Sequence, residues 1–431
     1  MSTPHDISTE PWQTQPRVRA VQKRTVRVLS AAQIVGGIGV GVSVSIGSLL
    51  AESVAQSETY AGVARTATTV GAAAVGVPLA LLAQRSGRRT SLSAGWLVAA
   101  VGGALLVGAA VTRSIPVLIA GMLLFGVGSA TNQQSRYAAA DLAAPHRRAR
   151  SLSVVMWSTT IGSVIGPNLA DPGAAVASAL RLPPLAGAFV LATVAMALAS
   201  ALLWGFMRPD PLVLSREHHD DEDRPSSGAE REKKSRTGTL RAGLQHVLHA
   251  PRAAFAFVTI VVAHTVMGAV MTMTPVSMSQ HGAGLTIVGI TISGHLLGMY
   301  AFSPAVGWLA DRIGHLSTVV AGQTIFLVSA TLSGMSHDST ALMMAGLFLL
   351  GLGWSFSMVA GSALLSEATP AALRPGVQGA TDTAMNIVAA VGAGLAGPLM
   401  SWVGFGGLNA VAGALVLPVI AFWALLVRAR T

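Results

Sequence analysis

Methionine and histidine side chains recur at helical spacing in one stretch of the chain. His264, Met267 and Met271 are three and four residues apart, the spacing of one face of a helix. His295 and Met299 are four residues apart and share a face in the same way. Thioether sulfur is a soft ligand that suits Cu(I), and neutral imidazole strengthens such a site. The two stripes therefore predict a Cu(I) site, and neither offers a carboxylate to a hard cation.

The depth of these side chains supports a shared site. Each of the two histidines lies about 17 Å along its helix, at 1.5 Å per residue, which is near the middle of a membrane. We therefore expect two imidazoles and several thioethers at similar depth on neighbouring helices. Methionine is also a common packing residue, so a purely structural stripe stays open as the alternative.

A second group of polar residues lies on two other apolar segments. Polar groups inside a bilayer are costly and indicate function by default. We expect Arg136 and Asp141 to lie near the end of their helix, paired with each other or with loop charges. Asp382 is either a proton site or a cap near the start of its helix. The full group is Asn132, Gln133, Arg136 and Asp141 on one segment, with Asp382 and Asn386 on the other.

The elements that carry these residues are membrane helices. Of 431 residues, 52% are hydrophobic and only 11% are charged, whereas a water-soluble chain has about 25% charged residues. A spanning helix needs about 20 mainly apolar residues, and twelve such runs occur. The absence of cysteine rules out disulfides and thiolate ligands. The predicted runs are 28–51, 60–83, 91–112, 116–140, 151–170, 184–206, 253–279, 284–309, 316–336, 340–364, 377–400 and 407–427.

The basic residues give the orientation of these runs. Of the 28 lysines and arginines, 24 fall in segments that twelve crossings place on one side. The positive-inside rule puts that side, with both termini, in the cytoplasm. The net charge of +10 is then a matter of topology, and we expect no nucleic-acid partner. The predicted divisions are a cytoplasmic tail at 1–27, a six-helix half at 28–206, a mobile cytoplasmic linker at 207–252, a second half at 253–427 and a cytoplasmic end at 428–431.

The two halves repeat each other at a nearly constant spacing. Gly121-Met-Leu-Leu-Phe-Gly-Val-Gly recurs in the second half as Gly346-Leu-Phe-Leu-Leu-Gly-Leu-Gly. The segment Ala80-Leu-Leu-Ala-Gln-Arg-Ser-Gly-Arg-Arg, which contains Arg85 and Arg88, recurs as Gly307-Trp-Leu-Ala-Asp-Arg-Ile-Gly-His. Secondary transporters use such duplicated units for alternating access around a site near the midplane.

The second copy of this segment resembles the loop signature of the major facilitator superfamily. The resemblance covers about residues 28 to 427 and implies an all-α membrane fold with twelve transmembrane helices in two pseudo-symmetric halves. Gly307 and Gly314 would then turn the chain so that Asp311 and Arg312 form a breakable charge latch, with Arg85 and Arg88 in the first copy. Gln84 replaces the acid of the family in the first copy, so we expect that latch to be weakened or rebuilt.

The Met and His motifs are similar to those of bacterial copper importers of the CcoA-like (CalT) branch. Met267-x-x-x-Met271 and His295-x-x-x-Met299 match the paired metal motifs of that branch, and the resemblance implies these four residues as ligands. His264 is an addition from its position on the stripe. The resemblance also implies Cu(I) as the transported substrate without a prosthetic group, copper chaperones or oxidase-assembly factors as partners, and a monomer in the lipid bilayer of the bacterial cytoplasmic membrane.

The sequence thus predicts a copper importer that works by alternating access. The alternative is a proton-coupled exporter of small organic molecules or drugs, with Asp382 or His295 as the proton carrier. The chain has no nucleophile–base set, phosphate-binding glycine loop or catalytic zinc motif, so we do not expect an enzyme.

Overall fold

The computed structural model describes residues 12–56, 59–222, 238–282, 285–336 and 339–428, and every regular element within these ranges is helical. Short 3-10 turns accompany the longer helices at a few points. The α-helices in chain order are α1 Pro16–Ala55, α2 Thr59–Thr112, α3 Ile115–Ala138, α4 Arg148–Ile165, α5 Ala170–Ala179, α6 Ala186–Phe206, α7 Pro211–Glu222, α8 Gly238–His249, α9 Pro251–Gln280, α10 Leu285–Tyr300, α11 Ser303–Ile313, α12 His315–Gly334, α13 Thr340–Glu367 and α14 Arg374–Arg428.

These helices account for the twelve predicted spans. Eight of the described helices are long and apolar enough to cross a membrane, and two of the eight, with 47 and 55 residues, are long enough to cross twice. Two further crossings are each divided into two shorter helices. In chain order, span 1 is α1, spans 2 and 3 are α2, span 4 is α3, span 5 is α4 with α5, span 6 is α6, span 7 is α9, span 8 is α10 with α11, span 9 is α12, span 10 is α13, and spans 11 and 12 are α14.

Single glycines form three of the corners between consecutive spans. Their φ angles are 84° at Gly87, 91° at Gly314 and 70° at Gly404, a region of backbone conformation that side chains with a Cβ disfavour. Gly87 and Gly314 occupy matching places in the repeated segments, between spans 2 and 3 and between spans 8 and 9. The tight turn predicted at Gly314 is therefore confirmed.

Matching glycines bring helices close together in both halves. A Cβ atom on Gly126 of span 4 would collide with the backbone of Thr68 on span 2. Gly351 is the matching residue on span 10, and a Cβ there would collide with the backbone of His295 on span 8. The repeated motif therefore provides the same close backbone contact between two helices in each half.

Spans 1 and 5 are also in backbone contact. Gly162 lies against Gly37, and Gly166 lies against Gly41. The sequence leaves Gly162-x-x-x-Gly166 open between a motif of antiporters and ordinary close packing, and close packing is what the geometry provides.

The tail and the linker are more ordered than predicted. Span 1 begins at Pro16, so residues 16–27 extend the first helix. Trp12 and Val18 pack with Leu142 and Leu214 in a small apolar cluster. In the predicted linker, 211–222 and 238–249 are helical, because each stretch carries apolar side chains for its neighbours to cover. Residues 1–11, 223–237 and 429–431, which include the most polar parts of the predicted tail, linker and C-terminus, lie outside the described residues.

The two sides of the molecule differ in charge. The side marked by Gly87, Arg148, Asp210, Gly314 and Arg374 carries the predicted basic segments, and we call it the basic face. The other side is called the opposite face.

Candidate functional site

The first repeat forms a buried ion pair at the basic face, and the arginine of this pair also contacts the second half. Arg88 Nε donates to Asp141 Oδ2 at 2.9 Å, and the two side chains are 1% and 2% exposed. The same guanidinium donates to Gln378 Oε1 on span 11, and Gln378 in turn donates to Ser366 of span 10. This first latch therefore joins the corner after span 2, the end of span 4 and the second half.

The second repeat contacts the other half through a carboxylate. Both oxygens of Asp311 accept hydrogen bonds from the start of span 5, from the backbone N–H of Ala149 and of Arg150, each at 3.0 Å. These N–H groups have no partner within their own helix, and a negative charge is favourable beside them. Gly307 allows this approach, since a Cβ there would collide with Ser153 and Ala149. Asp311 is thus the second latch.

Two arginines predicted for the latches lie outside them. Arg312 is exposed, with its guanidinium 5.2 Å from the ring centroid of Trp308. Arg85 is also exposed, while Arg88, three residues on, is buried. In each case the helix turns the charged group away from the interface between the halves.

The two latches differ for a reason that is visible in the sequence. Arg148 is followed by Ala149, whereas the matching Arg374 is followed by Pro375, and proline has no N–H to donate. A carboxylate at position 84 would therefore find one donor fewer than Asp311 finds. The first latch uses Arg88 instead, so the expectation of a rebuilt latch around Gln84 agrees with the structure.

A second buried ion pair joins spans 4 and 11 deeper in the protein. Arg136 Nη2 lies 2.7 Å from Asp382 Oδ1, and the two side chains are 4% and 1% exposed. One turn further on, Asn386 Nδ2 donates to Gln133 Oε1 at 3.0 Å. The expected pairing of Arg136 and Asp141 with each other or with loop charges is therefore wrong for Arg136, but it holds for Asp141, which pairs with Arg88 of the corner after span 2. Asp382 is no helix cap.

This central site has hydrogen-bonding groups to spare. Arg136 Nε, Asp382 Oδ2 and Asn132 Nδ2 are buried and have no hydrogen-bond partner among the described residues. A buried donor or acceptor without a partner costs about 1–3 kcal/mol, and more when it is charged. A bound molecule whose polar groups hydrogen-bond to these atoms would recover that free energy.

A group of aromatic side chains includes Tyr137 and Tyr300, which both interact electrostatically with Arg136, and sequence reasoning missed this group. Trp354 of span 10 donates from Nε1 to His264 Nδ1 at 3.1 Å. Tyr300 of span 8 packs edge-on against Trp354, with 5.6 Å between ring centroids. Arg136 itself lies over the ring of Tyr137, 4.7 Å from its centroid. A tryptophan directly after the repeated Gly346 segment is the signal that could have found them.

The predicted metal ligands are only partly brought together. Met267 and Met299 are buried in the same core cluster, and Met271 packs against it. His295 is fully buried, and its Nδ1 lies 2.9 Å from the carbonyl oxygen of Leu347 on span 10. In the described ranges no three histidine, cysteine, aspartate or glutamate side chains are grouped to hold a metal ion, so a metal there would depend on thioethers.

The two histidines do not lie at the same depth. His264 and Tyr300 both contact Trp354, whereas His295 contacts Leu347, seven residues earlier on span 10. Seven residues are two turns, about 10 Å along the helix. The expectation of two imidazoles at similar depth is therefore wrong, because span 10 packs between spans 7 and 8 and engages each histidine at its own level.

A separate cavity opens within the second half near the opposite face. Its volume is about 580 Å³, and its lining includes Met273, His281, Met343 and Met400. None of the predicted ligands lines it. Met278, seven residues after Met271 on span 7, packs with Val288.

Comparisons with known proteins agree with this architecture. The family model of the Major Facilitator Superfamily matches residues 29–287 and 256–431. YdeG of Bacillus subtilis, an uncharacterized transporter of that type, is 35% identical over 93% of this chain and 91% of its own length. The riboflavin transporter RfnT of Brucella anthropi is 25% identical over 93% of this chain and 94% of its own.

Solved structures share the fold. The human organic anion transporter MFSD10 superimposes with a TM-score of 0.72 at 16% identity, covering 93% of this chain and 99% of that one. A bacterial homologue of the iron transporter ferroportin in an outward-facing state gives a TM-score of 0.66 at 14% identity, covering 94% and 98%.

Proposed function

The chain belongs to the major facilitator superfamily, and we propose that it is a secondary transporter of a small, neutral, aromatic organic solute. The observation that carries this proposal is the Arg136–Asp382 pair. It joins the two halves, it is buried, and it leaves Arg136 Nε and Asp382 Oδ2 free of hydrogen-bond partners among the described residues. Arg136 also interacts electrostatically with Tyr300, which packs against Trp354. An ionisable pair inside a membrane protein is a site of function by default.

The chemistry of the surrounding side chains supports a neutral solute. The charges of the pair balance, and the next turn offers the amides of Gln133 and Asn386, which both donate and accept. Trp354 and Tyr300 offer aromatic faces and edges that suit a planar ring. The relative RfnT is a riboflavin transporter, and riboflavin combines a planar ring system with hydrogen-bonding edges.

The orientation of the protein is part of the proposal. With 24 of 28 basic residues in the segments of one side, the basic face is cytoplasmic, and both termini lie in the cytoplasm of a bacterium. Both latches and the Arg136–Asp382 pair close the molecule on that side. The structure then represents the state that is closed to the cytoplasm, and transport requires these contacts to break.

Copper import is the second candidate, and one observation favours it. The contact of His295 Nδ1 with the carbonyl of Leu347 fixes the ring as the Nδ1–H tautomer, because a carbonyl only accepts. Nε2 then carries a lone pair that is buried and without a partner in the described structure. A carbonyl that orients an imidazole is typical of metal ligands. Met299, one turn along the same helix, would supply a thioether to Cu(I).

A binding experiment separates the two candidates. Purified protein in detergent is heated with riboflavin as the organic probe, or with Cu(I) under reducing conditions, and the melting temperature is measured. For the organic proposal, riboflavin raises the melting temperature of the parent by several degrees and has no effect on Trp354→Leu. Trp402→Leu, at a side chain that is 85% exposed, behaves as the parent.

The same experiment gives the opposite pattern for copper. Cu(I) then stabilises the parent and Trp354→Leu alike, and Met299→Leu loses the effect while Met335→Leu, at a 68% exposed methionine, keeps it. Stabilisation of the Trp354→Leu protein by riboflavin, equal to that of the parent, would overturn the assignment of the organic site.

A further inference from the structure

A pocket on the basic face is lined by positive charge. Its volume is about 210 Å³, and it lies between the extension of span 1, the segment that joins spans 4 and 5, and the start of span 5. Arg19 and Lys23 line it from span 1, and His146 and Arg147 line it from the turn before span 5. No aspartate or glutamate lines it in the described part of the chain. We call this the basic pocket.

The four basic side chains of this pocket make no ion pair and no side-chain hydrogen bond with any other described residue. By contrast, Arg88, Arg216 and Arg252 on the same face each contact an acceptor. Arg19 and Lys23 are four residues apart on one helix, and like charges at this spacing repel each other. An anion bound in the basic pocket would neutralise this charge.

Specific contacts hold the walls of the basic pocket in place. Gln22 donates from Nε2 to the carbonyl oxygen of Ala139 at 2.6 Å, and the same nitrogen lies 3.4 Å from Ser151 Oγ. Val18 packs with Leu142 in the small apolar cluster. These contacts join span 1 to the end of span 4 and to the start of span 5. The basic side chains are therefore presented from a fixed frame and not from three independent segments.

We propose that the basic pocket binds one phosphate group, carried by the headgroup of an anionic lipid or free in the cytoplasm. A phosphate has several charged oxygens, so it can accept hydrogen bonds from opposite walls at the same time. The guanidinium groups of Arg19 and Arg147 suit phosphate oxygens, and the ammonium of Lys23 adds a point charge. The inference takes only the cytoplasmic orientation from the function proposed above and does not depend on the transported solute.

The depth of the pocket admits both sources of phosphate. The predicted apolar run of span 1 begins at residue 28, so Lys23 and Arg19 lie about 7.5 and 13.5 Å before it along the helix, at 1.5 Å per residue. A headgroup layer extends about 5–7 Å beyond the hydrocarbon core. Lys23 is therefore at the outer edge of the headgroups, where basic pockets bind anionic lipids, and Arg19 is within reach of soluble phosphate.

Two titrations distinguish the sources. Native mass spectrometry of the protein purified in a non-ionic detergent counts bound phosphatidylglycerol, with phosphatidylcholine, whose headgroup has no net charge, as the control lipid. Equilibrium dialysis with radiolabelled inorganic phosphate, at constant ionic strength, measures binding of the free ion. A lipid source predicts one phosphatidylglycerol bound more tightly than any further lipid and no saturable phosphate. A soluble source predicts one saturable phosphate and no preference for phosphatidylglycerol over phosphatidylcholine.

Paired variants show whether the bound group is in the basic pocket. The double variant Arg19→Gln with Lys23→Gln removes the cations of one wall and should weaken binding by about 25-fold, at a factor of about five for each basic residue. Arg17→Gln with Arg24→Gln removes two exposed cations from the same helix outside the pocket. This matched control should bind as the parent does.

The absence of a single saturable site for both probes overturns the inference. An equal loss in the pocket variant and in its matched control also overturns it, because binding would then follow the overall charge of the basic face. If the double variant fails to fold, Arg147→Gln on the opposite wall decides, with an expected loss of about fivefold. Its control is Arg150→Gln, at an exposed arginine outside the pocket.

Discussion

The Arg136–Asp382 pair allows the sharpest prediction about the transport cycle. Its two side chains are almost completely buried and lie 2.7 Å apart, and they belong to different halves. Removing one partner of a buried pair costs about 3–5 kcal/mol, since the other charge is left uncompensated. That cost falls on the closed form alone, because water reaches both groups once spans 4 and 11 separate.

This cost in free energy can be converted into a change in the populations of the closed and open forms. At about 1.4 kcal/mol per tenfold change, this loss of free energy shifts the closed-to-open ratio toward the open form by a factor between about 10² and about 4 × 10³. Asp382→Asn should have the larger effect, because the remaining arginine cannot lose its charge. Arg136→Gln should have the smaller effect, because the remaining aspartate can take up a proton.

The double variant Arg136→Gln with Asp382→Asn supplies the control. Two amides can hydrogen-bond to each other in the same space, so the ratio should return most of the way to that of the parent. The chain contains no cysteine, so spin labels can be attached to cysteines placed at Arg147 and Ile313, which are both exposed at the basic face. Pulsed electron–electron double resonance between these labels measures the closed-to-open ratio of all four proteins, the parent, the two single variants and the double variant. A double variant as open as Asp382→Asn, or an Arg136→Gln protein more open than Asp382→Asn, would refute the reasoning.

Three further results are expected. Gly307→Ala should shift the same spin-label distances toward the open form, because a Cβ there collides with the backbone of span 5, while Gly294→Ala, with nothing within 4 Å, should not. Asp210→Ala should lower the free energy of unfolding by about 1–2 kcal/mol in thermal or denaturant titrations, since Asp210 accepts from the backbone N–H of Arg89 and of the first turn of α7. A reporter fused after residue 225 should read as cytoplasmic and one at Gly282 as external, and an external reading at 225 would contradict the proposed orientation.

The fold was predictable because its signals are local or periodic. A run of about 20 apolar residues identifies a span wherever it occurs, and segments that recur at a nearly constant spacing identify two related halves. The corner at Gly314 follows from its place in that repeat. Spans 5 and 8 are each divided at a proline, Pro167 and Pro304. Because Pro275 lies inside a continuous helix, proline alone does not identify a division, and the sequence predicts each of these spans as one continuous run.

The site was less predictable because its contacts join distant parts of the chain. Arg136 and Asp382 are 246 residues apart, and nothing near either residue identifies the other as its partner. The methionine stripe predicted that His264 on span 7 and His295 on span 8 lie at the same depth. The packing of span 10 between these two spans depends on the tertiary structure and cannot be inferred from the stripe. Trp354 contacts His264 two turns away from the level of His295, and only its place directly after the repeated Gly346 segment distinguishes it from the other apolar residues of its span.

The single-glycine corners have a mechanical consequence. A corner of one residue leaves no slack between the helices it joins, so the two members of each such hairpin cannot slide past one another independently. Each of the three hairpins, made of spans 2 and 3, spans 8 and 9, and spans 11 and 12, therefore moves as a rigid unit. A displacement of the corner glycine, at Gly87, Gly314 or Gly404, is transmitted to the far ends of both helices. A flexible insert that lengthens one corner would allow the two helices of that hairpin to move independently. The latches could then close without moving the second helix of the hairpin.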